Sequence, residues 1–174
     1  MTATPLLDRF TTPRGAALLI LGVSIAAIGG AFWYQSLGFL PCELCYKERI
    51  PYYAAFALAP LAYGGAATGR MGAARAALLL LALLFAADAA LSFYHSGVEW
   101  KIFKGPDDCS GPLTRAVSVD DFMKQLQSAR VVRCDKPSLW ILGLTLANWN
   151  VLMTSALAWA AGKAAARRPT SGAA

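Results

Sequence analysis

The stretch Ala76 to His95, AALLLLALLFAADAALSFYH, is twenty residues long and carries one formal charge, on Asp88. At a rise of about 1.5 Å per residue, about 20 helical residues cross a hydrocarbon core of about 30 Å, so the stretch reads as a membrane span. Three further runs read the same way: Gly15 to Gln35, Pro51 to Ala67 and Leu139 to Gly162. In the second, Pro60 predicts a kink, whereas Pro51 suits a first helical turn, where its missing N–H costs nothing. The first run follows Arg9 and Arg14 as a signal peptide would, but it is longer than a typical signal core and is read as a retained helix. Composition agrees: 57% of the 174 residues are hydrophobic, 15% are charged, and mean hydropathy is +0.47, unlike a soluble domain of this size. The expected fold is an all-α membrane protein, a single domain over 1–174 built as an antiparallel four-helix transmembrane bundle.

Four spans put both termini on one side. That side, with the short loop 68–75, gathers Arg9, Arg14, Arg70, Arg75, Lys163, Arg167 and Arg168 against Asp8 alone. The other side holds nine basic and eight acidic residues, seven of the basic ones in the long loop 96–138, where the positive-inside rule has less force. The rule therefore predicts cytoplasmic termini, with loops 36–50 and 96–138 outside. Because the basic residues flank apolar runs and form no stripe of their own, the net charge of +6 points to topology and not to nucleic acid. In the long loop, SVDD at Ser118 to Asp121 resembles a capping box with Asp in place of Glu, and predicts a short helix. Phe122, Leu126 and Ala129 give that helix one apolar side, able to lie along the membrane surface or to pack on the loop itself.

Topology constrains the cysteines. Cys42 and Cys45, in PCELCYKER, lie in the first outer loop, and Cys109 and Cys134 lie in the second. In bacteria the outer compartment is oxidising, so the four should pair; the preferred resting pairs are Cys42 with Cys45 and Cys109 with Cys134. A Cys109–Cys134 disulfide reads equally as a loop staple, worth about 3 kcal/mol, or as a redox pair. The CxxC closes too small a ring to be a useful staple and is typical of redox and metal sites. A four-cysteine zinc site is the rival, though such sites usually show two closely spaced pairs; no metal is expected. Cys45 and Arg49 are four residues apart, on one face if the second helix begins within this stretch, and the guanidinium would then favour a thiolate. Its plain alternative is an interfacial anchor. Structural disulfides, below about −300 mV, cannot reoxidise a strongly oxidising dithiol carrier, so electrons leaving the cysteines need an acceptor that is not a thiol. With no haem or flavin signature, a membrane-dissolved quinone fits.

These features together resemble the bacterial disulfide bond formation protein B (DsbB) family. The resemblance rests on PCELCYKER, on YHSGVEWKIFKGPDDCSG after the third run and on CDKPSLWILGLTLANWNVL leading into the fourth. It implies an inner-membrane enzyme that reoxidises a periplasmic, thioredoxin-fold DsbA-like oxidase and passes electrons to ubiquinone, or to menaquinone. It further implies that Cys109 forms the mixed disulfide with the partner and that Cys134 is its mate. Cys42 would exchange with this loop pair, while Cys45 would meet the quinone beside Arg49. His95 matches a family position near the quinone; an interfacial histidine bonded to backbone or water is the plain alternative.

Other polar residues remain. Asp88, Ser92 and His95 share a helical face, and an acid within a span usually faces the bundle, paired, protonated or functional. Asn148 and Asn150 read as interhelical hydrogen-bonding groups. Trp33, Tyr34, Tyr52, Tyr53, Trp100 and Trp140 read as an outer aromatic belt from which some rings can line a quinone pocket.

Overall fold

A computed structural model describes residues 6–106, 118–120, 123, 133–137 and 139–167. Its elements are α1 (Leu6–Phe10), α2 (Pro13–Ser36), α3 (Glu43–Lys47), α4 (Ile50–Ala67), α5 (Met71–Glu99), β1 (Trp140–Ile141), β2 (Leu144–Thr145) and α6 (Leu146–Ala166). Val119, Asp120 and Met123 also have helical backbone, where the capping-box signal predicts a helix; the rest of that helix lies outside the described residues.

Local chemistry fixes the helix starts. Thr12 caps α2 by accepting the Gly15 N–H at 3.1 Å, with Pro13 in the first turn. Thr145 caps α6 by accepting the Asn148 N–H at 3.2 Å. The four long helices pack side by side, α5 against both α4 and α6, and α2 against both α4 and α6. Their contact is built from small residues, among them Ala16, Ala55, Ala59, Ala62, Ala161 and Ala164, interleaved with Ile20, Leu78, Leu81 and Phe85. Small side chains let helix backbones approach closely, which is how helices associate where lipid removes the hydrophobic drive between them. Outward, Leu18, Ile25, Leu83 and Phe93 are each more than half exposed, an arrangement suited to a lipid environment.

Among the described residues, two helices, α2 and α5, are long and apolar enough to cross a membrane. The other two are diluted: α4 by Pro51, Pro60, three tyrosines and two glycines, α6 by Asn148 and Asn150. Boundaries also depart from the sequence reading. The fourth helix begins at Leu146 and not at Leu139, because Leu142 (φ 52°) and Gly143 (φ 80°) turn the chain through a hairpin that pairs Trp140 with Thr145 and Ile141 with Leu144. Apolar strand residues there imitate the start of a span. The third helix continues one turn beyond His95, to Glu99. There Phe103 packs onto Gly97 so closely that a Cβ would lie 2.1 Å from its ring, which fixes how the following segment folds back.

The basic end of the bundle is tied together. Arg14 donates to the carbonyls of Ala66 and Ala67 at the end of α4, Arg75 donates to the Arg167 carbonyl, and Arg167 pairs with Asp8 at 2.7 Å. At the opposite end sit α3, the hairpin and Cys134.

Candidate functional site

Cys42 caps the short helix α3. Its backbone is extended (φ −76°, ψ 172°) and its sulfur accepts the Cys45 N–H at 3.3 Å, the role that Ser or Asp more often fills. This cap turns both sulfurs the same way, leaving Cys42 Sγ and Cys45 Sγ 2.7 Å apart. Cys42 is buried and Cys45 half-buried. The hydrogen bond with Cys45, aided by burial, pushes the Cys42 thiol above the ordinary thiol range against an opposing pull from His95. Cys42 therefore keeps its proton.

Helix α5 supplies the imidazole. His95 Nε2 lies 3.6 Å from Cys42 Sγ, and its Nδ1 lies 2.8 Å from Glu48 Oε1. With Nδ1–H donating to the carboxylate, Nε2 is left facing the sulfur, able to take its proton. One turn on, Glu99 brings Oε1 to 4.0 Å from the same Nε2. Cys42 Sγ, Cys45 Sγ and His95 Nε2 all lie within 4.8 Å of one another, a spacing that also suits a metal ion. Asp88, Ser92 and His95 share one buried face, as their spacing predicts.

Beyond Cys45 opens a cavity of about 400 Å³ between α2, the start of α4, the hairpin and α6. Its walls are mostly apolar, from Ala27, Ala31, Leu146 and Met153 among others, with Cys45, Glu48, Arg49, Tyr52 and Asn150 grouped as polar lining. Volume and character match sites for small organic ligands. Since α4 begins at Ile50, Arg49 and Cys45 belong to successive helices and not to one helical face. Arg49 donates to Gln35 Oε1 at 3.0 Å, and its guanidinium lies 5.3 Å from the Tyr46 ring centre and 5.9 Å from that of Phe32. At the cavity's inner edge Tyr52 donates to Asn150 Oδ1 at 2.6 Å, while Asn150 Nδ2 donates to Ser92 Oγ at 2.7 Å and to Asp88 Oδ2 at 3.2 Å. His95 is not among the cavity's lining residues; it faces Cys42 instead.

Cys134 is buried and packs in one cluster with Cys42, Leu44 and Val98. Its segment is clipped down by Asp135, which accepts from Lys101 and, through both oxygens, from Arg133. Cys109 lies outside the described residues. The fold thus brings Cys42, Cys45, Cys134 and His95 together and leaves Arg49 on the cavity side. Sequence reasoning assigned no role to Glu48, Glu99, Gln35 or Trp149. The first two sit three and four residues from Cys45 and His95, a helical spacing that carries the signal, whereas the approach of Gln35 and Trp149 depends on how the helices pack.

Comparison with known proteins gives a family. The family model described as disulfide bond formation protein DsbB matches residues 13–164. An uncharacterized protein of Rickettsia prowazekii (strain Madrid E) is 27% identical over 143 residues, covering 80% of each chain. No solved structure matches. With a CxxC, a buried third cysteine and an apolar cavity in one constellation, and the family model spanning nearly the whole chain, the protein belongs to the DsbB family of disulfide bond formation proteins, helical membrane oxidoreductases that use quinones.

Proposed function

We propose that the chain is a protein-dithiol:quinone oxidoreductase of the bacterial inner membrane, spanning it four times with both termini in the cytoplasm. The observation that carries the reading is the placing of the CxxC: Cys42 shares a buried cluster with Cys134, while Cys45, packed at the edge of that cluster, also lines the apolar cavity beside Arg49. Gathering of Arg14, Arg75 and Arg167 at the far end supports the orientation.

In this reading a Cys109–Cys134 disulfide oxidises the dithiol of a periplasmic DsbA-like partner, forming the partner's disulfide and leaving Cys109 and Cys134 as thiols. The loop thiols then reduce a Cys42–Cys45 disulfide by exchange: a loop thiolate attacks Cys42, the CxxC sulfur buried in one cluster with Cys134, and Cys45 leaves as a thiolate. His95, oriented by Glu48, returns a proton to Cys42 when the second loop thiol displaces it from the mixed disulfide as a thiolate, and removes that proton when Cys42 re-forms the disulfide with Cys45. The quinone, when bound, accepts two electrons and two protons and leaves as quinol. Overall, two thiols and a quinone give a disulfide and a quinol, so no outside proton source is needed. Residues at the cavity fit such a ligand: apolar walls suit a flat ring, and Arg49 supplies a donor toward its carbonyl edge. Cys45 is the thiol on that side.

The test is quinone reduction by a reduced DsbA-like protein, using purified full-length chain. All four cysteines should be required. Normal turnover by Cys45→Ser would overturn the mechanism.

A further inference from the structure

The convergence of donors around His95 goes beyond what a thiol relay needs. Three donor atoms, Cys42 Sγ, Cys45 Sγ and His95 Nε2, lie within 4.8 Å of one another. Glu99 stands beside this set without belonging to it: its side chain is only 6% exposed, Oε1 is 4.0 Å from His95 Nε2, and Oε2 is buried with no hydrogen-bond partner among the described residues. A buried carboxylate oxygen without a partner is costly, and a cation would satisfy it. Behind the imidazole, Glu48 Oε1 holds Nδ1 at 2.8 Å, the carboxylate–histidine arrangement that fixes the tautomer of a metal-bound histidine.

We infer that the reduced CxxC, with His95 and Glu99, forms a binding site for a thiophilic divalent cation of the zinc type, and that occupancy shuts the enzyme off. Binding is an acid–base step without redox change. Each thiol loses its proton to solvent, two metal–sulfur bonds form, the imidazole nitrogen adds a third bond, and the Glu99 carboxylate completes a tetrahedron by swinging from beside the imidazole toward the sulfurs. With metal–sulfur bonds of about 2.3 Å, the two sulfurs must stand about 3.8 Å apart. They are 2.7 Å apart without metal, a gap that rotation of the Cys45 side chain can open. Two thiolates match the cation's charge and the carboxylate leaves one net negative charge, so the cation is buried fully compensated. An occupied site withholds both sulfurs from exchange and from the cavity. Formation of a Cys42–Cys45 disulfide removes two of the four donors, so the oxidised enzyme is immune.

The inference rests on the proposed oxidase reading for its inhibitory consequence alone, and binding and turnover are measured separately. Full-length protein in detergent is reduced, freed of reductant under argon and titrated with Cd²⁺, read by thiolate-to-metal charge-transfer absorption, and with Zn²⁺ against a chromophoric chelator. One cation should bind per reduced chain and none per oxidised chain. His95→Ala, His95→Gln and Glu99→Gln should each weaken binding at least about tenfold, with helical content checked by circular dichroism. A Cys109→Ser/Cys134→Ser double variant should bind as the parent does. Equal binding by oxidised protein, unchanged affinity in both the His95 and Glu99 variants, or loss of binding in the loop double variant would each overturn the site. Zn²⁺ should block quinone reduction, and chelator should restore it. Binding without turnover in chelator-treated protein would sink the oxidase reading and leave the site; turnover without binding would do the reverse.

Discussion

At Cys42, three neighbours act on one sulfur. Sharing a hydrogen bond with Cys45 and being buried both favour the thiol, while His95 favours the thiolate. The sign follows: with its pKa raised, Cys42 stays protonated through neutral pH and ionises only above the usual thiol range. Mass-mapped alkylation of the reduced protein should therefore modify Cys42 at least about tenfold more slowly than the unfolded chain near neutral pH, a gap that closes at strongly alkaline pH. His95→Ala removes the one favourable influence and should slow the reaction further; faster alkylation would contradict this account. Arg49 is the second test at this scale. It is held by Gln35 and by two aromatic rings, so its guanidinium is aimed along the cavity wall. Arg49→Ala should raise the apparent quinone KM about tenfold, the worth of one charge-assisted hydrogen bond. Arg49→Lys should recover little of this, because an ammonium cannot reproduce the planar contact with both rings. An unchanged KM in Arg49→Ala would reduce Arg49 to an interfacial anchor.

Between elements, Asn150 is the joint. From α6 it meets Tyr52 on α4 and both Ser92 and Asp88 on α5, so one amide links three helices inside an apolar interior. Asn150→Leu would keep the volume but strand the Tyr52 hydroxyl and the Asp88 carboxyl, and Asp88 Oδ1 already lacks a partner among the described residues. The cost should be about 1–3 kcal/mol, visible as a lower melting temperature in detergent. A melting temperature within error of the parent would mean the network is not structural. Ser96 on α5 donates to Asn148 on α6 in the same manner. Both asparagines are legible in the sequence as interhelical groups because lipid-facing amides would be unaffordable. Their partners are not legible, since rotation of α6 about its axis decides them.

For the molecule as a whole, the fold must bring the segment of Cys134, distant in sequence, within reach of the CxxC. The clip of Asp135 with Arg133 and Lys101 holds the Cys134 segment against the end of α5. Those two cations, Arg133 foremost, keep the Asp135 carboxyl well below the usual carboxylate range. A lowered pKa means the clip's contribution is fully present above the ordinary carboxylate pKa and is lost only as pH falls through the lowered value. Hydrogen exchange at residues 133–137 should accordingly stay slow at neutral pH and quicken only in acid. Asp135→Asn should quicken it at neutral pH and slow oxidation of the partner several-fold while leaving the quinone KM unchanged. A changed KM with a normal partner rate would reverse the assignment of the two sides.

The sequence by itself determined the helical runs, the basic end and the pairing of two thiols three residues apart in PCELCYKER. Those depend on properties that are local or periodic: length against bilayer thickness, charge beside apolar runs, and two thiols three residues apart. It also put Asp88, Ser92 and His95 on one face, because helical periodicity needs no partner. Tertiary structure decided the rest. That His95 turns to Cys42 and away from the cavity, that Glu48 and Glu99 flank it, and that Arg49 meets Gln35 and Phe32 follow from which helices touch. The hairpin at 140–145 escaped for a different reason. Its apolar residues match the composition of a span, and only the left-handed backbone of Leu142 and Gly143 reveals a turn where hydropathy alone continues a helix.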